Sequence, residues 1–520
     1  MAGVIASAAA AACSSGSDGA SGPSSTTRAT LPTVTTGPTT PVPDLPADVF
    51  TLGVASGDPV PDGVILWTRL APKPLLGGGM PAVDVPVRWE VATDDSFKKL
   101  VATGVVTASP TFAHSVHVDA SGLQADTAYR YRFVAGDQTS PIGSTRTAPA
   151  AGAVPKRLRF LFASCQNWTD GYWTAWPHAV DEQPDLVVFL GDYIYEGGIG
   201  VDDAIRKHNS PEVVKLEDYR NRYGLYQGDP GLQALHQAAP WIITWDDHEV
   251  ENNYAGEQSQ DPSDGIDFPA RRAAAYQAFY EHHAIRIDPP KGPDEVIYRT
   301  VDWGDLVRFH VVDGRQYRTD QPCDGTSDLA QDCAPRHAEG STMLGTEQEA
   351  WLGRQFASSE ATWNVLANQT IFTPLPLGGV FFNMDQWDGY PEARTRLLKQ
   401  IAATKLANPV IITGDIHASG VADVTDIGPT DPVVATEFVG TSISSDFPPE
   451  LASLAGPLIS ALPHVKWFDA LHRGYVLCDV GTDTFTAAYR QVATTATPTS
   501  TISTATSWVV QAGTPGAKPA

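Results

Sequence analysis

Four short apolar runs in this chain each end abruptly in a polar cluster. Leu158–Ala163 leads into Ser164-Cys165-Gln166-Asn167, and Leu186–Phe189 into Leu190-Gly191-Asp192-Tyr193-Ile194-Tyr195-Glu196. Residues 241–244 lead into Trp245-Asp246-Asp247-His248-Glu249, and Pro409–Thr413 into Gly414-Asp415-Ile416-His417. Continuous apolar runs of this length read as strands buried on both faces. Polar residues on the turns that follow then gather along one edge of a sheet. Strand ends that carry thiol, carboxylate, phenol, amide and imidazole groups describe a multinuclear metal site on that edge.

Each ligand type adds a constraint. Cys165 alone reads as a buried space-filler, but Gln166 and Asn167 make its position a polar turn, where a thiolate is a strong soft donor. Asp192 and Tyr195 lie three residues apart, so one carboxylate can bridge two metals while the phenol binds one of them. Phenolate and thiolate together favour a ferric ion over magnesium, which prefers oxygen and water. Asn253 offers an amide oxygen to a hard cation, and His248 is placed to bind phosphate or protonate a leaving group. Asp415 and His417, two apart on an extended segment, face one side. Two metals with an open edge imply phosphate-ester hydrolysis by metal-activated hydroxide. Arg220, Arg222, Arg315 and Arg318 are candidates to hold the equatorial oxygens.

The 520 residues allow several domains. A formal net charge of −25 disfavours nucleic acid as a bulk partner. No run of ~18–20 apolar residues is present to span a bilayer. Residues 1–12 are small and apolar, then Cys13 precedes a Ser/Gly/Thr/Pro tract. This reads as a signal remnant with a lipoprotein-type Cys13 and a disordered tether over residues 1–48. Cys323 and Cys333 are placed to close a disulfide, which suits an oxidising compartment. Cys478 reads as a buried thiol.

Residues 49–150 hold short alternating runs such as Val64–Leu70 and Ala128–Phe133, and Gly122-Leu123 with Tyr129 resembles a tyrosine corner. They read as a separate Ig- or fibronectin-like β-sandwich domain. Residues 151–495 alternate apolar strands with helical stretches near 212–226, 271–283, 346–358 and 393–404, an α/β pattern. Residues 496–520 read as a disordered C-terminal tail.

The ordered set Ser164-Cys165-Gln166, Gly191-Asp192-Tyr193-Ile194-Tyr195-Glu196, Trp245-Asp246-Asp247-His248-Glu249 with Asn252-Asn253, and Gly414-Asp415-Ile416-His417 resembles the PhoD-type alkaline phosphatase/phosphodiesterase family of calcineurin-like metallophosphoesterases. Gly53–Pro59, Trp67-Thr68-Arg69-Leu70 and Trp387-Asp388-Gly389-Tyr390 are similar to its other signatures. The resemblance implies a catalytic core that is a four-layer α/β/β/α sandwich. It implies Fe3+ on Cys165, Asp192, Tyr195 and His417, and Ca2+ on Asp192, Asn253 and Asp415. Asp388 would serve a further calcium; Asn252 is an alternative to Asn253, and Asp247 would stand behind the ligands. It also implies a segment, 461–472 or the tail, that covers the site. The function expected is a secreted or cell-surface enzyme, monomeric, acting on small phosphate mono- and diesters at alkaline pH. An alternative substrate is a cell-wall teichoic acid or phospholipid diester. A non-catalytic surface-binding protein is a further alternative, and it predicts missing ligands, whereas none is missing.

Overall fold

The computed structural model describes residues 43–520, apart from 203, 324, 326–328, 382, 426–431 and 448. Cys13 and most of the expected tether lie outside the described residues. Among the described residues, ten strands form the larger sheet. Its centre is Arg473–Val480, Leu158–Ala163, Leu186–Phe189 and Trp241–Ile243, in that order. The last three run parallel, so their polar ends emerge on the same edge. A seven-stranded sheet places Trp363–Ala367, Pro409–Thr413 and Val433–Val439 side by side and parallel.

One core cluster draws on both sheets. Phe160, Phe162, Leu186, Val188 and Ile242 of the first meet Phe309, Val365, Val410, Ile412 and Phe438 of the second. Their other faces are covered by helices. The first sheet's outer cluster includes Trp176, Tyr219, Tyr223, Leu232 and Phe279. The second sheet's includes Leu352, Phe356, Leu397 and Ile401. Strands apolar on both faces are what such double coverage requires. The helices Leu216–Tyr226, Phe268–His282, Gly345–Ala357 and Pro391–Thr404 fall where the sequence pattern places them. Pro230–Ala238 is a further helix, started by the Asp229 carboxylate, which accepts from the N–H groups of Gly231 and Leu232.

Two expectations are corrected. The N-terminal strands do pack as two sheets about one core, but one of those sheets is continuous with the catalytic sheet instead of standing apart. Val54–Val60, Gly63–Arg69 and Ser115–Ser121 extend the ten-stranded sheet, through a parallel pairing of Gly57 with Trp241. A Cβ at Gly57 would lie 1.9 Å from the Ala284 carbonyl oxygen, so only glycine allows this junction. Asp58 then accepts from Arg286 N–H at 2.8 Å and from Arg299 at 2.7 Å. A second sheet, containing Val85–Ala92 and Ala128–Ala135, packs over that end, with Trp89, Tyr131 and Phe133 in its core. Tyr129 does make the local bond of a tyrosine corner, accepting from Gln124 N–H at 3.0 Å.

The second correction is the C-terminus. Residues 502–519 are not a loose tail. Ile502–Gln511 and Thr514–Pro519 are the outermost strands of the ten-stranded sheet, and Trp508, Val510 and Ala517 enter the shared core. They close the sheet rather than cover the metal-bearing edge.

Cys323 and Cys333 are disulfide-bonded, while Cys165 and Cys478 are free and buried. Among the described residues no helix is long and apolar enough to cross a membrane.

Candidate metal centre

Glycine draws the strand ends together, between the two sheets at Gly414 and within the larger sheet at Gly191. A Cβ at Gly414 would stand 2.2 Å from Ser164 Oγ, and one at Gly191 would stand 2.4 Å from Asp246 Cβ. Gly191 also has φ +110°. Each Gly-Asp pair is therefore a close-approach residue followed by the acid that the approach brings into the site. The residues carrying the chemistry have unusual backbone. Cys165 (φ 60°), Asp192 (58°), Asn253 (53°), Asp415 (61°) and His417 (55°) are all left-handed. Single Asp or Asn residues visit this region readily, but a Cys there is costly and such strain collects at functional sites.

Cys165, Asp192 and His417 offer ligand atoms within 4.8 Å of one another. Tyr195 completes the group: its hydroxyl donates to Asp192 Oδ2 at 3.0 Å, lies 3.2 Å from His417 Nε2, and accepts from Ser445 Oγ at 2.7 Å. His417 Nδ1 donates to the Asp446 carbonyl at 2.9 Å, which leaves Nε2 as a lone pair facing the cluster. Two more triads continue along the edge, Asp192–Asp247–His248 and Asp246–Asp247–Asp415.

The donors fit a cation. Asp192 Oδ1 is buried, and among the described residues no N–H or hydroxyl reaches it. Burial, then the nearby Asp192, pushes Cys165 and Tyr195 up well above their ordinary values. Burial does the same to Asp192 itself, and holds His417 neutral, down at about 4. These groups ionise together only if positive charge is supplied among them.

His248 lies beside the same cluster. Burial would lower it, but Glu196, then Asp247, hold it well above the usual imidazole value. Its Nδ1 is 2.7 Å from Glu196 Oε2, and its ring stacks on Tyr195 at 4.0 Å. Asn253 sits beside Asp247, to which its N–H donates at 2.7 Å. Asn252 instead turns its amide to Gln260, 2.9 Å away.

Several expected residues lie elsewhere. Arg220 is not at the edge: it pairs with the buried carboxylate of Glu281 and with the Thr111 carbonyl, bracing the N-terminal strands. Arg222 is buried and donates to the carbonyls of Tyr195 and Gly197, shaping the turn after Asp192. Asp388 is outside the three triads. Its Oδ2 accepts from Leu375 N–H at 2.8 Å. Asp385, three residues earlier, faces the site instead and pairs with Arg315 and Arg318. Both arginines are buried behind the acids rather than open to substrate.

Glu249 carries a role that residue type alone did not reveal. Its carboxylate accepts three backbone N–H groups, from Asp192 at 3.1 Å, Tyr193 at 2.5 Å and Asp246 at 2.8 Å. It clasps two ligand-bearing turns together. The density of acids in Trp245–Glu249 was the available signal.

The PhoD-like phosphatase family profile matches residues 160–489, and the profile of that family's N-terminal domain matches residues 37–149. Alkaline phosphatase D of Bacillus subtilis (strain 168) is 45% identical over 480 residues, 90% of this chain and 82% of that protein. Purple acid phosphatase 23 of Arabidopsis thaliana is 26% identical over 176 residues, 32% of this chain and 37% of that protein. A solved structure described as the structure of PhoD superimposes with a TM-score of 0.86 at 44% identity, covering 92% of this chain and 93% of the other. With its metal-binding edge intact, this chain belongs to the PhoD-like phosphatase family.

Proposed function

We propose that the chain is a metal-dependent alkaline phosphatase and phosphodiesterase that hydrolyses phosphate esters at the edge formed by the two sheets. The observation that carries this reading is the convergence of Cys165, Asp192, Tyr195 and His417 around a buried carboxylate oxygen that no donor among the described residues reaches. Thiolate and phenolate suit Fe3+, so these four are the proposed ferric ligands. Asp192, Asn253 and Asp415 are the proposed oxygen donors to Ca2+. When bound, such a pair supplies a water activated near neutral pH and charge stabilisation for the departing oxygen.

The chain's own groups set the rest. His417 presents Nε2 because Asp446 fixes its tautomer. Glu249 holds the turns of Asp192 and Asp246 in register. His248, kept protonated by Glu196 and Asp247, is placed to bind a phosphoryl oxygen or give a proton to the leaving group. The layering of the three core clusters supports a four-layer α/β/β/α catalytic core. The Cys323–Cys333 disulfide supports work outside the cytoplasm. Secretion, with lipid attachment at Cys13, belongs to the same reading.

The test is turnover of a nitrophenyl phosphate monoester and a bis-nitrophenyl diester by metal-replete protein, with and without calcium chelation. Hydrolysis that chelation abolishes and calcium restores is the expected result. No turnover of either ester by metal-replete protein would overturn the proposal.

A further inference from the structure

The turn that follows Val433–Val439 wraps the Cys165 carbonyl. The N–H groups of Ile443, Ser444 and Ser445 point at that oxygen, at 3.2, 3.4 and 3.4 Å, and the Ile443 N–H also reaches the Ser164 carbonyl at 3.1 Å. Ser442 lies beside Ser164 in a parallel bridge, and its hydroxyl donates to the Ser445 carbonyl at 2.5 Å, which closes the turn. The turn leaves the seven-stranded sheet and Cys165 leaves the ten-stranded one, so the two sheets are fastened together beside the first triad.

Ser445 ends the turn with its hydroxyl against Tyr195, and its side chain is fully buried. Asn167 N–H donates to Ser445 Oγ at 3.1 Å. Oγ then has two acceptors in reach, the Cys165 carbonyl at 2.9 Å and the Tyr195 phenol oxygen at 2.7 Å. A serine hydroxyl has one proton, so it donates to one of them at a time. While the phenol keeps its own proton, which goes to Asp192 Oδ2 at 3.0 Å, both acceptors are neutral oxygens. Once Tyr195 is a phenolate, its oxygen is the charged acceptor and takes the bond, since a charge-assisted hydrogen bond is about twice as strong as a neutral one. The Asn167 N–H strengthens that donation by polarising the hydroxyl. The Cys165 carbonyl stays satisfied, because three N–H groups already face it.

We infer that Ser445 sets how strongly the Tyr195 phenolate donates to the ion it binds. The hydroxyl takes a share of the phenolate charge and fixes the oxygen in place, so the phenolate is a weaker donor than an unshared one. Ser445 touches neither substrate nor reacting atoms and is a positioning residue. The inference rests on the reading of Tyr195 as a ferric ligand.

The test is the colour of the iron-loaded protein. A phenolate-to-ferric band moves to longer wavelength when the phenolate becomes the stronger donor, because its electrons then lie closer in energy to the ferric acceptor levels. Visible spectra are recorded on iron-loaded wild type, Ser445→Ala and Ser444→Ala. Ser444 is the control: it lies in the same turn and is as buried, but its hydroxyl donates to the Asn167 carbonyl at 2.7 Å. Ser445→Ala is expected to carry the band at longer wavelength, and Ser444→Ala to keep it at the wild-type position. A band that stays in place in Ser445→Ala overturns the inference, as does one that moves equally in Ser444→Ala. A folded Ser445→Ala without iron also overturns it, because the hydroxyl then decides whether the ion is held. Should Ser445→Ala not fold, resonance Raman spectra of the wild type in H2O and D2O decide. The iron–phenolate stretch is expected to shift when the Ser445 proton is exchanged, and an unshifted stretch overturns the inference. Wild type without iron, or with iron and no such band, would instead sink the ferric reading itself, which separates the two failures.

Discussion

The Glu249→Gln substitution gives a graded test of how the ligand turns are held. The two carboxylate oxygens accept three buried N–H groups, two on Oε2 from Asp192 and Asp246, and one on Oε1 from Tyr193. Glutamine keeps one acceptor oxygen and puts an NH2 where the other stood. In its better orientation it faces the Tyr193 N–H with a donor; in the other it faces both Asp192 and Asp246. At least one buried N–H loses its acceptor, which costs about 1–3 kcal/mol. The volume is unchanged, so no cavity is made. The site is affected because Asp192 and Asp246 are adjacent to the lost bonds. A displacement of about 1 Å at a catalytic group lowers turnover by roughly 100-fold. The assay pairs urea unfolding, followed by tryptophan fluorescence, with kcat/KM on the nitrophenyl monoester. A lower unfolding midpoint together with that loss of kcat/KM is expected. A variant with wild-type stability and kcat/KM within about twofold would refute the clasp.

Two further outcomes follow from the packing. Trp508→Ala removes a side chain only 8% exposed from the core shared by both sheets, so it should cost about 3–5 kcal/mol in urea unfolding; a loss below about 1 kcal/mol would mean the terminal strands are not docked as described. His310 is sealed in the seven-stranded sheet with a ring nitrogen 3.0 Å from Asn364 Oδ1, and burial holds it down at about 4. The unfolded chain takes up this proton below about pH 6.5 and the folded chain does not. Its contribution is therefore complete above that pH and is lost as pH falls, by about 2 kcal/mol at pH 5. A shallower decline of the urea midpoint between pH 8 and pH 5 is expected in His310→Gln, and an unchanged slope would contradict the argument.

Much of the centre was legible because its logic is local. Cys165, Asp192, Tyr195, Asp415 and His417 each lie within a few residues of an apolar run, and parallel strands carry their ends to one edge. What was not legible depends on distant partners. Asp388 and Asp385 share one short segment, and only the position of Arg315 distinguishes the one that faces the acids. Arg220 looks like any basic residue on a polar helix until Glu281 is seen beside it. The N-terminal strands carry the alternation of a separate sandwich, yet the pairing of Gly57 with Trp241 joins them to the catalytic sheet across a wide sequence gap. The terminal strands misled through composition: Ile502–Gln511 is largely exposed along its first half, and its threonines and serines read as loop until Trp508 and Val510 turn inward.

Tyr195 reports directly on the identity of the first metal. Iron content and the visible spectrum are measured on purified wild type and on Tyr195→Phe. About one iron per chain is expected in the wild type, since thiolate and phenolate donors select a ferric ion. A phenolate-to-ferric absorption band is expected in the wild type and is lost in Tyr195→Phe. A fully active wild type without iron, or a band that survives in Tyr195→Phe, would contradict the ferric assignment.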